Sequence, residues 1–368
     1  MVRNPIPLRR FRPALHSPDL IACGKPSQCV GSVTGHDLSR AGKPKKKIRA
    51  LAPEGITIIR LLFVCLSLFV LAPIALAAQD DATATFRMDV KLVNLFVNVT
   101  DKTGAIVGGL GKDDFQVFED ARPQKIAIFE RQSELPLNLT LAIDTSGSTA
   151  KDLNLEQSAS KHFIHALLRE QDQMSLIEFA TDVRQLVPFT NKVSQLDRGL
   201  NSLRVGDATA LYDAVYLASE SLGKKEGRKV LVLVSDGGDT AKSTTYPEAL
   251  EEALRSEVMI YSIIDVPIEA SAGRDIGGEH ALITLSEQTG GKSFYASEGG
   301  LDKAFEKVSE DLRTQYLIAY YPHNQEPGRS FHRLTVTVPR AANDAFNIRY
   351  KTGYYSEPPA PPRPKPTD

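Results

Sequence analysis

Apolar strands that alternate with amphipathic helices between Leu137 and Gln315 constrain the fold of this chain more than any other feature. The stretches LTLAI, at 139–143, and VLVLV, at 230–234, are nearly continuous apolar runs. Such runs are typical of central strands that are buried on both faces. Strands that alternate with helices predict a doubly wound α/β fold, with a mostly parallel sheet covered by helices on both faces.

Two regions with the two-residue period of strands flank this pattern, at 86–133 and 314–356. VNLFVNVT, at 93–100, and HRLTVTV, at 332–338, alternate apolar and polar residues. Each flank alone is small for a sheet with its own core. We therefore predict that the flanks pair as a small β-sandwich and that the α/β domain, at 136–312, is inserted between them. The alternative is two separate appendages on the α/β core.

The N-terminal region predicts export. A basic segment at 1–55 precedes an apolar segment at 56–78, which ends in the small-residue pattern Ala75-Leu76-Ala77. This is the layout of a signal peptide, but its basic part is too long. Three explanations stay open: translation starts downstream of Met1, the apolar segment is an uncleaved membrane anchor, or the basic segment is a disordered cytoplasmic tail. All three place the rest of the chain in the periplasm, on the cell surface or in the medium, with membrane contact only through the apolar segment.

Charge and cysteine content exclude several classes of function. The chain has 44 Lys and Arg against 45 Asp and Glu, so no basic excess indicates a nucleic-acid partner. Cys23, Cys29 and Cys65 all precede the predicted cleavage region. A mature chain would then have no disulfide, thiolate metal site or cysteine nucleophile. The Pro-rich tail at 357–368 is predicted to be disordered.

Polar clusters follow two of the predicted central strands. DTSGS lies at 144–148, SDGGD lies at 235–239, and GDATALYDA, at 206–214, opens a helix. Ligands of open parallel sheets bind beyond the carboxyl ends of the strands. The order Asp-x-Ser-x-Ser, then Thr, then Asp resembles the metal-ion-dependent adhesion site of von Willebrand factor type A domains. The flanking DDFQVFEDARPQKI, TQYLIAYYP and KTGYY resemble a bacterial group of secreted type A proteins.

The resemblance implies a non-catalytic protein-binding or adhesion module. Its implied metal ligands are Asp144, Ser146, Ser148, Thr209 and Asp236. The implied cofactor is a divalent cation, Mg²⁺ in the first place with Mn²⁺ or Ca²⁺ as alternatives. An acidic side chain of a protein partner would complete the coordination of the ion.

The residue types agree with this implication. A hard divalent ion prefers oxygen ligands, and a turn at Gly147 can bring two hydroxyls and a carboxylate to one point. The alternative is a loop whose hydroxyls only cap the next helix. We expect Asp213 to support the site or to lie at the surface, and Asp239 to support the site or to be a turn residue.

Two other classes of function stay open. In a metal-dependent hydrolase, the ion would activate water, but neither a general base nor a cationic clamp stands out near these clusters. In a scaffold subunit of an envelope assembly, the metal would be structural.

Overall fold

The computed structural model describes residues 92–131, 135–149, 153–241, 243–266, 275–297, 300–323, 331–339 and 346–356. The predicted basic segment, apolar segment and Pro-rich tail lie outside these residues and stay predictions. Within the described part of the chain, no helix is both long enough and apolar enough to cross a bilayer.

The strands follow one another along the chain as β1 (Val93–Thr100), β2 (Gln116–Glu119), β3 (Arg122–Gln124), β4 (Ile126–Glu130), β5 (Leu137–Asp144), β6 (Gln173–Phe179), β7 (Val183–Thr190), β8 (Arg228–Ser235), β9 (Met259–Ile264), β10 (Ser293–Tyr295), β11 (Tyr316–Tyr320), β12 (Phe331–Thr337), β13 (Asn347–Arg349) and β14 (Gly353–Tyr355). The helices are α1 (Leu153–Leu167), α2 (Val193–Leu200), α3 (Leu211–Gly223), α4 (Tyr246–Arg255), α5 (Ile276–Thr289) and α6 (Leu301–Arg313).

A six-stranded sheet forms the centre of the α/β layer, in the order β10-β9-β8-β5-β6-β7. Its neighbouring strands are parallel, except that β7 runs antiparallel to β6. β5 and β8 hold the middle positions, and every residue of β5 is buried. Burial on both faces explains why β5 and β8 are nearly continuous apolar runs.

Helices cover both faces of this sheet. Leu141 belongs to the core that includes side chains of α1, α2 and α6, such as Phe163 and Phe305. Its neighbour Ala142 belongs to the opposite core, which includes side chains of α3, α4 and α5, such as Val215 and Leu282. Helices on both faces confirm the predicted doubly wound fold class.

The two flanks form two further antiparallel sheets, β13-β1-β11-β4 and β14-β12-β2-β3. Each sheet takes two strands from before the α/β layer and two from after it. Side chains of both sheets share one core, which includes Val97, Val117, Ile318 and Val336. The strand-rich flanks are therefore paired as a sandwich, while the exact domain boundaries stay a prediction.

The region from β2 to β4 and the C-terminal end differ from the sequence pattern in detail. The pattern between residues 113 and 130 predicts a turn and two strands, and the structure has three strands there. A two-residue hairpin turn, in which Asp120 and Ala121 adopt φ values of 48° and 65°, separates β2 from β3. Positive φ values at both central residues are typical of type I′ hairpins. Lys125 separates β3 from β4, which belong to different sheets. The pattern does not predict β14, because its three residues are too few to show a period.

A buried polar network joins the sandwich to the base of the α/β layer. Asn98 of β1 donates from its side chain to the carbonyl oxygen of Asp311 at 3.1 Å. The Asp311 carboxylate accepts hydrogen bonds from Tyr261 of β9, at 2.6 Å, and from Arg349 of β13. Because buried polar groups are costly without partners, this network fixes how the two layers contact each other.

Candidate metal site

The predicted site lies where the chain leaves β5 and β8 in opposite directions across the sheet. From β5 the chain continues to β6 on one side, and from β8 it continues to β9 on the other. Such a switch point leaves a crevice at the carboxyl ends of the strands. Asp144 is the last residue of β5, and Asp236 directly follows the last residue of β8.

Asp144 is fully buried, and both oxygens of its carboxylate accept hydrogen bonds. The Ser146 N–H donates to Oδ1 at 2.9 Å, and the Ser235 hydroxyl donates to Oδ2 at 2.6 Å. Burial raises the pKa of Asp144 to about 6, although these hydrogen bonds act to lower it. The negative charge of Asp236 adds to the rise. A bound cation would offset both the desolvation and the repulsion between the carboxylates.

The loop after β5 holds two serine hydroxyls side by side. The Oγ atoms of Ser146 and Ser148 are 3.1 Å apart. The hydroxyl of Thr149 donates to the carbonyl oxygen of Asp144 at 2.9 Å, and its N–H donates to that of Ser146 at 3.2 Å. Ser146 is buried and Ser148 is exposed. The turn therefore places an accessible hydroxyl next to a buried one.

Thr209 lies on the loop that leads into α3 and is buried. Its N–H donates to the Thr240 hydroxyl at 2.9 Å, which ties it to the loop after β8. In the same loop, the Gly206 N–H donates to the carbonyl oxygen of Thr145 at 2.9 Å. The backbone around Thr209 is thus tied to the loops after both β5 and β8. None of the hydrogen bonds described for these residues joins the Thr209 hydroxyl directly to the other four predicted ligands.

The loop that carries Asp236 packs tightly on the start of α5. Gly237 has a φ of 98°, and a Cβ atom there would lie 2.5 Å from the carbonyl carbon of Gly278. Only glycine combines this conformation with so close an approach. The Gly238 N–H donates to Asp236 Oδ1 at 3.3 Å. The position of the Asp236 carboxylate therefore depends on this glycine turn.

Two supporting hydroxyls, those of Ser235 and Thr240, are not assigned by the sequence pattern. Ser235 donates to Asp144 and accepts the Gly237 N–H at 3.1 Å, so it links the two acidic loops. The sequence signal that could have identified Ser235 is its place at the end of an apolar strand. Its role depends on the pairing of β5 with β8, which the sequence pattern does not reveal.

Asp213 and Asp239 take supporting contacts. Asp239 accepts the N–H of Tyr212, in the first turn of α3, at 3.3 Å. Asp213 accepts the hydroxyl of Thr244. Both carboxylates therefore hold the chain after β8 against α3, and their support of a metal site stays a prediction.

Comparison with known proteins agrees with this architecture. A family model of the von Willebrand factor type A domain matches residues 139–238. The α/β layer has the von Willebrand factor type A fold. The matched residues run from β5 to the loop after β8 and include all five predicted ligands. No curated protein matches the sequence.

Several solved structures resemble part of this chain. An aerotolerance-related membrane protein from Bacteroides fragilis is 19% identical, with a TM-score of 0.39, and the match covers 48% of this chain and 98% of that one. BatB from Bacteroides thetaiotaomicron is 18% identical, with a TM-score of 0.39 and coverage of 48% and 97%. The von Willebrand factor domain of the type V pili tip protein Mfa5 from Porphyromonas gingivalis is 13% identical, with a TM-score of 0.38 and coverage of 48% and 94%.

The donor set at the switch point fits a hard divalent cation. The five predicted ligands offer carboxylate and hydroxyl oxygens, which Mg²⁺, Mn²⁺ and Ca²⁺ prefer over other donors. Two of the ligands carry charge, and one of them, Asp144, is fully buried. The type A layer thus offers an oxygen-rich rim beside a buried carboxylate that a cation would stabilise.

Proposed function

We propose that this chain is an exported protein-binding module that captures its partner through a bound divalent cation. In this proposal Asp144, Ser146, Ser148, Thr209 and Asp236 hold the ion, with Mg²⁺ as the first choice. A carboxylate of the partner completes the coordination. The buried Asp144 carboxylate beside the paired serine hydroxyls carries the proposal.

The balance of charge supports a bridging role for the ion. Hydroxyl ligands are neutral, so the two carboxylates would leave a divalent ion with little excess of negative charge around it. Mg²⁺ prefers six oxygen ligands and commonly keeps some water. An exposed coordination position could then exchange water for an acidic group from another protein, and the exposure of Ser148 is consistent with access from solvent.

We propose no catalytic reaction at this site. The hydrogen bonds described for Asp144, Ser146 and Asp236 come from hydroxyls and backbone amides. These groups orient ligands, whereas hydrolysis would also need a base or an acid within reach of a bound substrate.

The proposal of export depends on the sequence pattern at 56–78, which lies outside the described residues.

Isothermal titration of the purified full-length protein with Mg²⁺ tests the metal site. Asp144→Asn and Ser146→Ala should lose binding, because each removes a proposed ligand. Asp207→Asn is a matched control, because Asp207 is an exposed carboxylate on the Thr209 loop that is not a proposed ligand. Equal Mg²⁺ binding by the wild type, the ligand variants and the control would refute the metal site.

Retention of envelope proteins on the immobilised chain tests the binding role. A partner that binds through the ion should be released by EDTA, should return with Mg²⁺, and should not bind Ser148→Ala. Retention that is indifferent to EDTA and to this substitution would contradict a bridging ion. N-terminal sequencing of the exported chain shows whether the segment at 56–78 is cleaved, and where.

A further inference from the structure

A second cluster of ligand-type side chains lies in the sandwich, in the sheet β14-β12-β2-β3. It consists of Glu119 at the end of β2, Asp120 in the hairpin turn and His332 in β12. One ligand atom from each residue lies within 4.8 Å of the other two. Unlike the type A site, this cluster includes an imidazole nitrogen, which favours transition metals over Mg²⁺.

The backbone around Asp120 orients its carboxylate. The Asp120 N–H donates to the carbonyl oxygen of Arg333 at 2.9 Å, and the Arg333 N–H donates to Asp120 Oδ1 at 2.9 Å. With Oδ1 held in this way, Oδ2 lies 2.9 Å from His332 Nδ1. The Asp120 carboxylate is therefore held with one oxygen on the backbone and the other facing the imidazole.

Two tyrosines orient the Glu119 carboxylate. Oε2 accepts the hydroxyl of Tyr320 at 2.5 Å and that of Tyr354 at 3.1 Å. Its other oxygen, Oε1, lies 3.6 Å from His332 Nδ1. The Tyr354 ring also stacks on the His332 ring, with centroids 5.2 Å apart. Hydrogen bonds that orient metal ligands in this way are a usual part of protein metal sites.

The distances suit a small dication. Zn–N and Zn–O bonds are about 2.0–2.2 Å long, so ligand atoms around a tetrahedral zinc lie about 3.4 Å apart. The observed separations from His332 Nδ1, 2.9 Å to Asp120 and 3.6 Å to Glu119, bracket this value. Glu119 and His332 are buried, whereas Asp120 is exposed and opens the cluster to solvent.

We propose that Glu119, Asp120 and His332 bind a transition-metal dication of the Zn²⁺ class. The ion would link the two flanks of the sandwich, since Asp120 belongs to the first flank and His332, 212 positions later, belongs to the second. With three protein ligands, a water on the exposed side of Asp120 would complete the tetrahedral coordination. The role of the ion would be structural, since it would hold together strands that precede and follow the type A layer in the sequence. The other interpretation is that His332 only pairs with the two carboxylates.

The test uses Zn²⁺ with the full-length chain in an Asp144→Asn background, so that the type A site cannot contribute. Asp120→Asn removes one proposed ligand, and asparagine tolerates the positive φ of this turn. Asp101→Asn is the matched control, because Asp101 is a turn carboxylate of the same sandwich that accepts backbone N–H groups and lies outside the cluster. Glu119→Gln is a second ligand variant that keeps an acceptor for the tyrosine hydroxyls.

We expect Asp120→Asn and Glu119→Gln to weaken the tightest Zn²⁺ site about tenfold or more and to remove the rise in melting temperature on adding Zn²⁺. Asp101→Asn should keep both. Co²⁺ added in place of Zn²⁺ should show visible absorption that the two ligand variants lack. Equal Zn²⁺ affinity and equal thermal response in all three variants, or no Zn²⁺ binding at all, would overturn the proposal and leave His332 as an ion-pair partner. Either result is independent of Mg²⁺ binding at Asp144.

Discussion

Replacing Asp144 with asparagine is expected to stabilise the metal-free protein and to abolish its response to Mg²⁺. The carboxylate is fully buried beside the acidic Asp236, and burial raises its pKa to about 6. Asparagine has nearly the same shape and no charge. Its carbonyl oxygen can accept the Ser146 N–H, and its amide can donate to the Ser235 hydroxyl oxygen.

The magnitude follows from the pKa. The carboxyl group titrates at an ordinary value of 3.8 in the unfolded chain and at about 6 in the folded chain. At about 1.4 kcal/mol per pKa unit, the difference is about 3 kcal/mol. Because the pKa is higher in the folded chain, the protonated Asp144 contributes this free energy to stability below pH 3.8. The contribution is lost as the pH rises to about 6. At neutral pH, Asp144→Asn should recover about 1–3 kcal/mol, less any loss in the hydrogen bond to Ser235.

Chemical denaturation at pH 7, in EDTA and in saturating Mg²⁺, measures both effects. In EDTA, Asp144→Asn should be more stable than the wild type. In Mg²⁺ at a hundred times its dissociation constant, the wild type should gain about 2.7 kcal/mol and the variant nothing. Asp207→Asn should follow the wild type in both conditions. A variant that is less stable than the wild type in EDTA would refute the claim that the buried charge destabilises the fold.

Three further predictions concern the same rim. Ser235→Ala should weaken Mg²⁺ binding and cost about 1 kcal/mol of stability, because it removes a donor to Asp144; unchanged calorimetric titration would contradict its supporting role. Mg²⁺ affinity should fall as the pH drops below about 6, where Asp144 takes up a proton that competes with the ion; constant affinity between neutral and acidic pH would exclude Asp144 as a ligand. Gly237→Ala should destabilise the protein by about 1–3 kcal/mol, because Gly237 has a positive φ and a Cβ atom there would meet the backbone of Gly278. Gly108→Ala is the control, since its Cβ would have no neighbour within 4 Å. Equal midpoints of chemical denaturation for the two variants would contradict the close packing of the Asp236 loop.

Local patterns predicted the α/β layer well. The buried strands β5 and β8 contain nearly continuous apolar runs, and α5 is capped at its C-terminal end by Gly290, which has the left-handed conformation. These features depend on residues close together in the sequence. The sequence could therefore locate Asp144 and Asp236 at strand ends, and the sheet order then brings those ends together.

Contacts between distant segments could not be predicted in the same way. The bond from Ser235 to Asp144 depends on which strands are neighbours, and the cluster of Glu119, Asp120 and His332 depends on the pairing of β2 with β12. His332 occupies an inward position in an alternating strand, where the sequence pattern distinguishes only buried from exposed positions. Side chains that meet across 212 positions, as Asp120 and His332 do, leave no periodic signal.

The interleaving of the two flanks has a consequence for how the chain folds. β1 pairs with β11 and β13, and its Asn98 bonds to Asp311, 213 positions later. During synthesis the edges of β1 stay unpaired until the whole type A layer has been made, because its partners β11 and β13 follow that layer. Contacts this distant are slow to form, and unpaired strand edges invite association with other chains. A chain that crosses a membrane before it folds would therefore gain from a chaperone that shields β1 until its partners arrive.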